Sequence, residues 1–273
     1  MTAGRSARTP EARPPRPLGQ PALTPVPRGW WPDALLVAAF AGLTAALVWW
    51  PPLLEVDIAV RDWCDRHRPP PVAWLMRVLD YFGQGGPLII VTVGVSFWLA
   101  WRHRTIRPII LAGLAPIVST VLIVGLKRWT SRGAPHQGSV RLFSGGGEDF
   151  YPSGHVSNGI VYFGVLAILL APYLAVPVRR VLQWLPGVLV VIGTTYLSYH
   201  WLTDSIGGYL LGLLIVRMLL RVPWRTLPLP RRLDRLPLGS HRAHRAKHRK
   251  GPPGEQHRRV PGPLRTIALD RAC

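Results

Sequence analysis

The chain has 273 residues, 48% of them hydrophobic and only 17% charged, against about 25% charged in an average soluble chain. Its formal charge is 33 − 13 = +20, yet the basic residues crowd the two ends while long central stretches carry no charge. This placement excludes an intrinsically disordered middle and argues against an ordinary soluble domain. Two cysteines, Cys64 and Cys273, cannot build a disulfide framework.

Residues 1–31 are rich in Pro, Ala and Arg without apolar periodicity; they hold five Arg and one acid, Glu11. They read as a disordered basic arm. The first apolar run starts at Ala34, too deep and too poorly followed by a cleavage site for a signal peptide, so an uncleaved span is expected. Five windows lack any charge: 34–50, 85–101, 108–126, 156–178 and 181–199, of 17, 17, 19, 23 and 19 residues. A sixth, 205–220, carries only Arg217. About 20 residues at 1.5 Å each cross the ~30 Å hydrocarbon layer, so these lengths suit spanning helices. Pro116 is tolerable in such a helix, because neighbours can re-satisfy the freed carbonyl. The expected fold is therefore all-α, a bundle of six transmembrane helices over 32–222, followed by a disordered basic tail over 223–273.

Short-loop charge orients the bundle. Arg102, Arg104 and Arg107 lie between spans two and three, and Arg179-Arg180 between spans four and five. The tail after Val222 holds 13 Lys/Arg and three acids. With six spans, these segments and the N-terminal arm share one side. The other side receives 51–84, with four Arg and five acids, then 127–152 and 200–204. Both termini are thus expected in the cytoplasm of a multi-pass cell-membrane protein, with Cys64 open to an impermeant thiol reagent from outside. Within the first outer loop, Trp74, Leu75, Val78, Leu79 and Phe82 recur at helical spacing opposite Arg77 and Asp80, which predicts an amphipathic interfacial helix. The run 241–250 is basic enough for nucleic acid. Beside a last span it is more simply a segment drawn to anionic membrane lipid, at about 1 kcal/mol per charge, and no nucleic-acid partner is expected.

The chemistry-bearing residues fall at the outer ends of spans three to six: Lys127 and Arg132, then Tyr151-Pro152-Ser153-Gly154-His155, then His200-Trp201-Leu202-Thr203-Asp204. Together they bring two His, one Asp and two cations to one face of the membrane, which marks a site by convergence. Ser153 is a good N-cap for the helix that follows, and a helix start with Gly154 is also a ready anion site, within reach of His155. His200 and Asp204 are four apart. On one helical face the carboxylate would accept the imidazole Nδ1–H and leave Nε2 free as nucleophile or base.

The order Lys127…Pro135, Pro152-Ser153-Gly154-His155 and His200-x-x-x-Asp204-x-x-Gly207-Gly208 resembles the type 2 phosphatidic acid phosphatase superfamily, also home to the vanadium haloperoxidases. The resemblance spans roughly residues 57–215, and the tetrad alone would arise by chance in about one chain in a thousand. It implies that His200 attacks phosphorus to form a phosphohistidine with Asp204 orienting it, and that His155 protonates the leaving oxygen. Lys127 and the amides near Ser153 and Gly154 would grip the phosphoryl oxygens, with no cofactor or metal. Two arginines of the family pattern are missing: Ala134 stands in the first motif, and Gly193-Thr194 replace Ser-Arg in the third. Each such charged hydrogen bond is worth ~1.5–3 kcal/mol, so the deficit reaches about 10²–10⁴ in rate. Arg132 is the expected replacement, with Arg141 or Arg128 as a second; Thr194 offers only a neutral hydroxyl.

The function expected is a membrane phosphatase acting on a lipid phosphate or isoprenyl (di)phosphate at the extracytoplasmic face. A transferase passing phosphoryl or a phospho-alcohol between lipids is the alternative, favoured by the missing arginines because a diester donor carries less charge. A catalytically silent lipid-binding relative is a third reading, against which His155, His200 and Asp204 argue.

Overall fold

The computed structural model describes residues 27–145, 149–224 and 228–230. Over these the chain forms eight helices: α1 Trp31–Trp49, α2 Pro51–Arg66, α3 Pro70–Tyr81, α4 Gly85–His103, α5 Arg107–Thr130, α6 Gly154–Leu169, α7 Val176–Tyr196 and α8 Leu202–Arg221. Prolines at the first or second position open α1, α2, α3, α5 and α7, where the missing N–H costs nothing. Five helices, α1, α4, α5, α7 and α8, are long and apolar enough to cross a membrane. With α6 they are the six apolar helices expected from the sequence. Most of the N-terminal arm and nearly all of the basic tail lie outside the described residues.

The outward faces of these helices carry exposed Ile90, Phe97, Ile117 and Val121, a surface suited to lipid and not to water. Exposed tryptophans gather at helix ends: Trp30 and Trp31 open α1, Trp49 and Trp50 close it, Trp101 sits near the end of α4 and Trp129 near the end of α5. Such rings favour the headgroup level. At the centre is α6, packed on α4, α5, α7 and α8. Its Val156, Ile160, Val161 and Val165 form the core with Val190, Leu211 and Ile215.

Two boundaries differ from the sequence expectation. The window 156–178 is not one helix: α6 ends at Leu169 after 16 residues, and α7 begins at Val176. Pro172 falls in the turn after α6, and Pro177 stands in the first turn of α7. Arg179 and Arg180 therefore lie at the start of α7 and not in a loop, and Arg179 is buried. Because α6 is wrapped by neighbours, its ~24 Å length need not match the hydrocarbon thickness.

The loop 51–84 folds into α2 and α3. The expected amphipathic helix is α3, with Trp74, Leu75 and Val78 exposed, but Asp80 is buried and not on a solvated face. The helix docks on α7, and α2 reaches α1, α7 and α8. Cys64 is also buried, at 4% exposure, so its thiol is closed to bulky reagents, contrary to the expectation from the sequence. Burial pushes that thiol up from its ordinary value.

Candidate active site

The end of α5 and the loop after it build the floor. Ser131 closes α5 in a left-handed conformation, φ 41°. The Thr130 hydroxyl donates to the Tyr151 carbonyl at 2.8 Å, and the Phe150 N–H donates to the Arg132 carbonyl at 3.0 Å. These bonds fix the segment leading to Ser153 against the end of α5. Tyr151 is fully buried, stacks on Phe40 at 5.9 Å between centroids, and shares a 2.7 Å hydrogen bond with Thr44 of α1. Burial pushes its phenol up to about 12.

Ser153 is the N-cap of α6: its Oγ accepts from the Val156 N–H at 3.4 Å. Its own N–H donates to the Asp204 carbonyl at 2.9 Å, which ties the start of α6 to the start of α8. The two helices come this close because position 208 lacks a side chain. A Cβ on Gly208 would lie 2.4 Å from the Ser153 carbonyl oxygen. The Ser157 hydroxyl fastens the same crossing, donating to the Gly208 carbonyl at 2.9 Å. The first-turn amides at Gly154 and His155 have no intrahelical acceptor by the geometry of a helix start, and an anion there gains from both N–H groups and the helix dipole.

His155, at the start of α6, and His200, between α7 and α8, come together. Their ring centroids are 6.0 Å apart with planes at 63°. Phe150 covers His200 from 5.5 Å. Lys127, in the last turn of α5, runs its stem past Gly154, 3.9 Å from where a Cβ would sit. Its Nζ donates to the Asp149 carbonyl at 2.5 Å and lies 5.5 Å from the Phe150 ring centre. Two ammonium donors beyond that bond remain for an anion.

His200 and Asp204 meet, but not on one helical face as the spacing suggests. The helix α8 starts at Leu202 with Trp201 as its N-cap, and Asp204 is its third residue. The carboxylate folds back over the cap: Oδ2 accepts from the Trp201 N–H at 3.2 Å and stands 3.5 Å from His200 Nδ1. At that distance Nδ1 makes no full hydrogen bond. The tautomer with Nδ1–H toward Asp204 leaves Nε2 unprotonated.

Arg132 does not offer the free fork expected of a phosphate ligand. Its guanidinium is fully buried and donates to Asp204 at 2.5 Å, Thr203 at 2.7 Å, Asp57 at 2.6 Å and the Val140 carbonyl at 2.8 Å. It is the bridge between two carboxylates, not a hand held out to substrate. Burial alone would lower its pKa, but Asp204 and Asp57 outweigh burial and raise it. Asp57 also accepts from Thr203, both N–H at 3.0 Å and hydroxyl at 2.5 Å. Trp201 completes the block: its Nε1 donates to the Gly133 carbonyl at 2.8 Å, and Arg61 and Arg132 lie 5.3 and 5.6 Å from its ring centre.

Arg128 and Arg141 are exposed. Thr194 is buried and turned into the bundle, donating to the Val190 carbonyl at 2.8 Å and sharing a 3.1 Å contact with Ser205. Sequence reasoning did not name Asp57, placed Asp80 only on the polar face of an interfacial helix, and named Trp201 and Thr203 without giving either a role. Asp57 and Asp80 were legible only as acids of an outer loop, since nothing in their spacing says that α2 and α3 pack under the site. Among the described residues no group of three His, Cys, Asp or Glu is placed to hold a metal ion.

Residues 88–228 match the PAP2 superfamily. Phosphatidylglycerophosphatase B of Bacillus subtilis (strain 168) is 29% identical over 162 residues, covering 54% of this chain and 73% of that protein. The crystal structure of a transmembrane PAP2-type phosphatidylglycerolphosphate phosphatase from Bacillus subtilis superposes with a TM-score of 0.59 at 23% identity. It covers 68% of this chain and 93% of that one. The likeness in structure establishes the fold, and with the apolar helices it makes this a multi-pass membrane protein.

Proposed function

Since the chain belongs to the PAP2 superfamily, we propose that it is a membrane phosphatase that hydrolyses a lipid phosphate or isoprenyl (di)phosphate through a phosphohistidine on His200. The observation that carries this reading is the 6.0 Å convergence of two imidazoles beside the N-terminus of α6 and the ammonium of Lys127. A single phosphoryl group between the rings touches both, and reacting atoms held so close gain much of the barrier reduction from position alone. In the first step His200 Nε2 bonds to phosphorus, the P–O ester bond breaks, and the leaving oxygen takes a proton from His155. Asp204 balances the charge that develops on His200. In the second step His155 removes a proton from water, the oxygen attacks phosphorus, and the P–N bond breaks to release phosphate. Lys127 and the amides of Gly154 and His155 hold the equatorial oxygens, where negative charge builds up. Ser153 shapes that cradle through its cap, and Arg132 holds Asp204 in place. No metal or other cofactor takes part.

The bias of Lys and Arg in the short connections supports cytoplasmic termini and an extracytoplasmic site. The chain is read as a basic arm over 1–31, the membrane domain over 32–222 and a cytoplasmic basic tail over 223–273 that rests on anionic lipid. The curated relative is named for phosphatidylglycerophosphate, which makes a glycerophospholipid monoester the first substrate to try. Purified protein in detergent, given labelled phosphatidylglycerophosphate, phosphatidic acid and undecaprenyl diphosphate in the presence of a chelator, should release free phosphate. His200→Ala should not. Equal release by both proteins would refute the reading.

One observation favours a transferase as the second reading. With Arg132 tied to Asp57 and Asp204 and no arginine at 134 or 194, the site is poor in free cations. A phosphodiester donor, with one negative charge, suits it better than a dianionic monoester. Label that moves to a second lipid, with no free phosphate released, would establish that reading in place of the first.

A further inference from the structure

Asp57, in α2, has a fully buried carboxylate with three hydrogen-bond donors around it. Oδ1 accepts from the Thr203 N–H at 3.0 Å. Oδ2 accepts from the Thr203 hydroxyl at 2.5 Å and from Arg132 Nη2 at 2.6 Å. Thr203 is the second residue of α8, and its N–H is one of the donors that a helix start leaves without an acceptor. Asp57 thus caps α8 from 146 positions away in the chain. The Thr203 hydroxyl accepts from Arg132 Nη1 at 2.7 Å, so its single proton goes to Asp57. All three neighbours donate and none accepts, which is the pattern of an ionised carboxylate. Burial raises the Asp57 pKa above its ordinary value against the pull of Arg132 and Thr203, and the three donors keep it an anion at neutral pH.

The arrangement decides how Arg132 is divided. A guanidinium that faces one carboxylate can grip both of its oxygens. Here the fork is split: Nη1 donates to Asp204 Oδ1 at 2.5 Å, Nη2 to Asp57, and Nε to the Val140 carbonyl at 2.8 Å. Asp204 Oδ2 is thereby left to the Trp201 N–H at 3.2 Å and to His200 Nδ1, 3.5 Å away. Charge follows the same division. Arg132 paired with Asp204 alone would make a neutral pair, and the imidazole would lose its partner's field. With Asp57 in the block, two carboxylates share one guanidinium, and a net negative charge stays buried beside His200.

We propose that Asp57 is a positioning residue for the nucleophile: it holds Nη2 of Arg132 and the start of α8 so that Asp204 Oδ2, with its charge, stays directed at His200 Nδ1. Its part in catalysis rests on the phosphatase reading; its hold on the ring does not. In the first step the bond from His200 Nε2 to phosphorus forms as the P–O ester bond breaks, and the leaving oxygen takes the His155 proton. The His200 ring becomes a cation facing Asp204. Asp57 stays ionised throughout and neither gives nor takes a proton.

Asp57→Asn keeps the volume and removes the charge, so that Arg132 is free to close on both oxygens of Asp204. Nitrogen NMR of histidine-labelled, full-length protein in detergent, assigned with His200→Gln, reports which ring nitrogen carries the proton. In wild type it should be Nδ1. In Asp57→Asn the preference for Nδ1 over Nε2 should fall about tenfold, and Asp57→Glu should restore part of it. Should Asp57→Asn not fold, Asp57→Ser removes the same charge and keeps an acceptor for Thr203. A wild-type tautomer in the neutral variant refutes the proposal. Thr203→Val separates cap from charge: it should lower the unfolding midpoint and leave the tautomer as in wild type. Loss of the Nδ1 preference there as well would make the cap, and not the divided guanidinium, the cause, and would overturn the proposal. With phosphatidylglycerophosphate as substrate, kcat should fall about tenfold or more in Asp57→Asn with KM little changed, and part of the rate should return in Asp57→Glu. A tautomer that changes in Asp57→Asn while wild type hydrolyses no phosphate ester upholds the positioning and refutes only the phosphatase reading.

Discussion

Replacing Arg132 with Met keeps most of the volume and removes the charge that joins Asp57 to Asp204. Both carboxylates have 0% side-chain exposure, and the arginine reaches them at 2.6 and 2.5 Å. Breaking a buried ion pair by deleting one partner costs roughly 3–5 kcal/mol, because the charge left behind has neither water nor counter-ion. For a membrane domain of this size, about 2–4 °C per kcal/mol converts that to a loss on the order of 10 °C in the thermal midpoint. Asp57→Asn added to Arg132→Met removes one of the two stranded charges and should recover ~1–3 kcal/mol, a coupling that a double-mutant cycle reads directly. Fluorescence-detected unfolding in detergent supplies the midpoints, and turnover measured on the same samples should show kcat falling as Asp204 loses its anchor. If Arg132→Met instead unfolds at the wild-type temperature and only raises KM, then Arg132 is a phosphate ligand after all and the buried network has been misread.

Other consequences follow from contacts around the site. Gly208→Ala places a methyl group 2.4 Å from the Ser153 carbonyl oxygen. It should abolish turnover and lower the unfolding midpoint, whereas a functional, wild-type-like variant would show that α6 and α8 do not cross so closely. Tyr151→Phe removes the 2.7 Å bond to Thr44 and should cost about 1 kcal/mol, read as a small drop in midpoint at neutral pH. Burial has pushed the Tyr151 phenol up to about 12, and its neutral form is the one the fold favours. The associated stability is whole below the ordinary value near 10 and is lost as pH climbs from there toward 12. Wild type should therefore lose stability faster than Tyr151→Phe across that window, by about 1.4 kcal/mol per pH unit; parallel curves would contradict it. Cys64, 4% exposed, should resist an impermeant maleimide until the protein is unfolded, and rapid labelling of the folded protein would mean that α2 does not pack as described.

The spans were legible because lipid admits so few solutions: charge-free windows of the right length have hardly any other reading, and tryptophans at their ends fit the same surface. Ser153, His155, His200 and Asp204 were legible from order and spacing. The manner of their meeting was not. Asp204 reaches His200 through a helix cap, since α8 begins two residues after the histidine, and no spacing rule separates that from a shared helical face. Arg132 looked like a free cation because sequence gives no sign that Asp57, 75 positions away, would return to meet it. Asp80 was hidden for a similar reason. Its helix reads as a membrane-surface anchor, and only the close approach to α7 permitted by Gly193 buries its acid. The end of α6 was missed because hydropathy runs smoothly across the turn at Pro172, and a proline in an apolar window does not by itself mark a helix end: α5 and α7 continue through Pro116 and Pro186.

The most direct test of two imidazoles acting on one phosphoryl group is to trap the intermediate. Wild type and the His155→Ala and His200→Ala variants would be mixed with phosphorus-labelled lipid monoester, quenched in alkali within the first turnover, and mapped by mass spectrometry. Alkali-stable, acid-labile phosphate on His200 in wild type, with none at any position in His200→Ala, is the expected result. With an activated aryl ester, His155→Ala should accumulate the label, because no base remains to direct water at it. Phosphate released at the wild-type rate by His200→Ala, or label carried by another residue, would contradict the central role given to that ring.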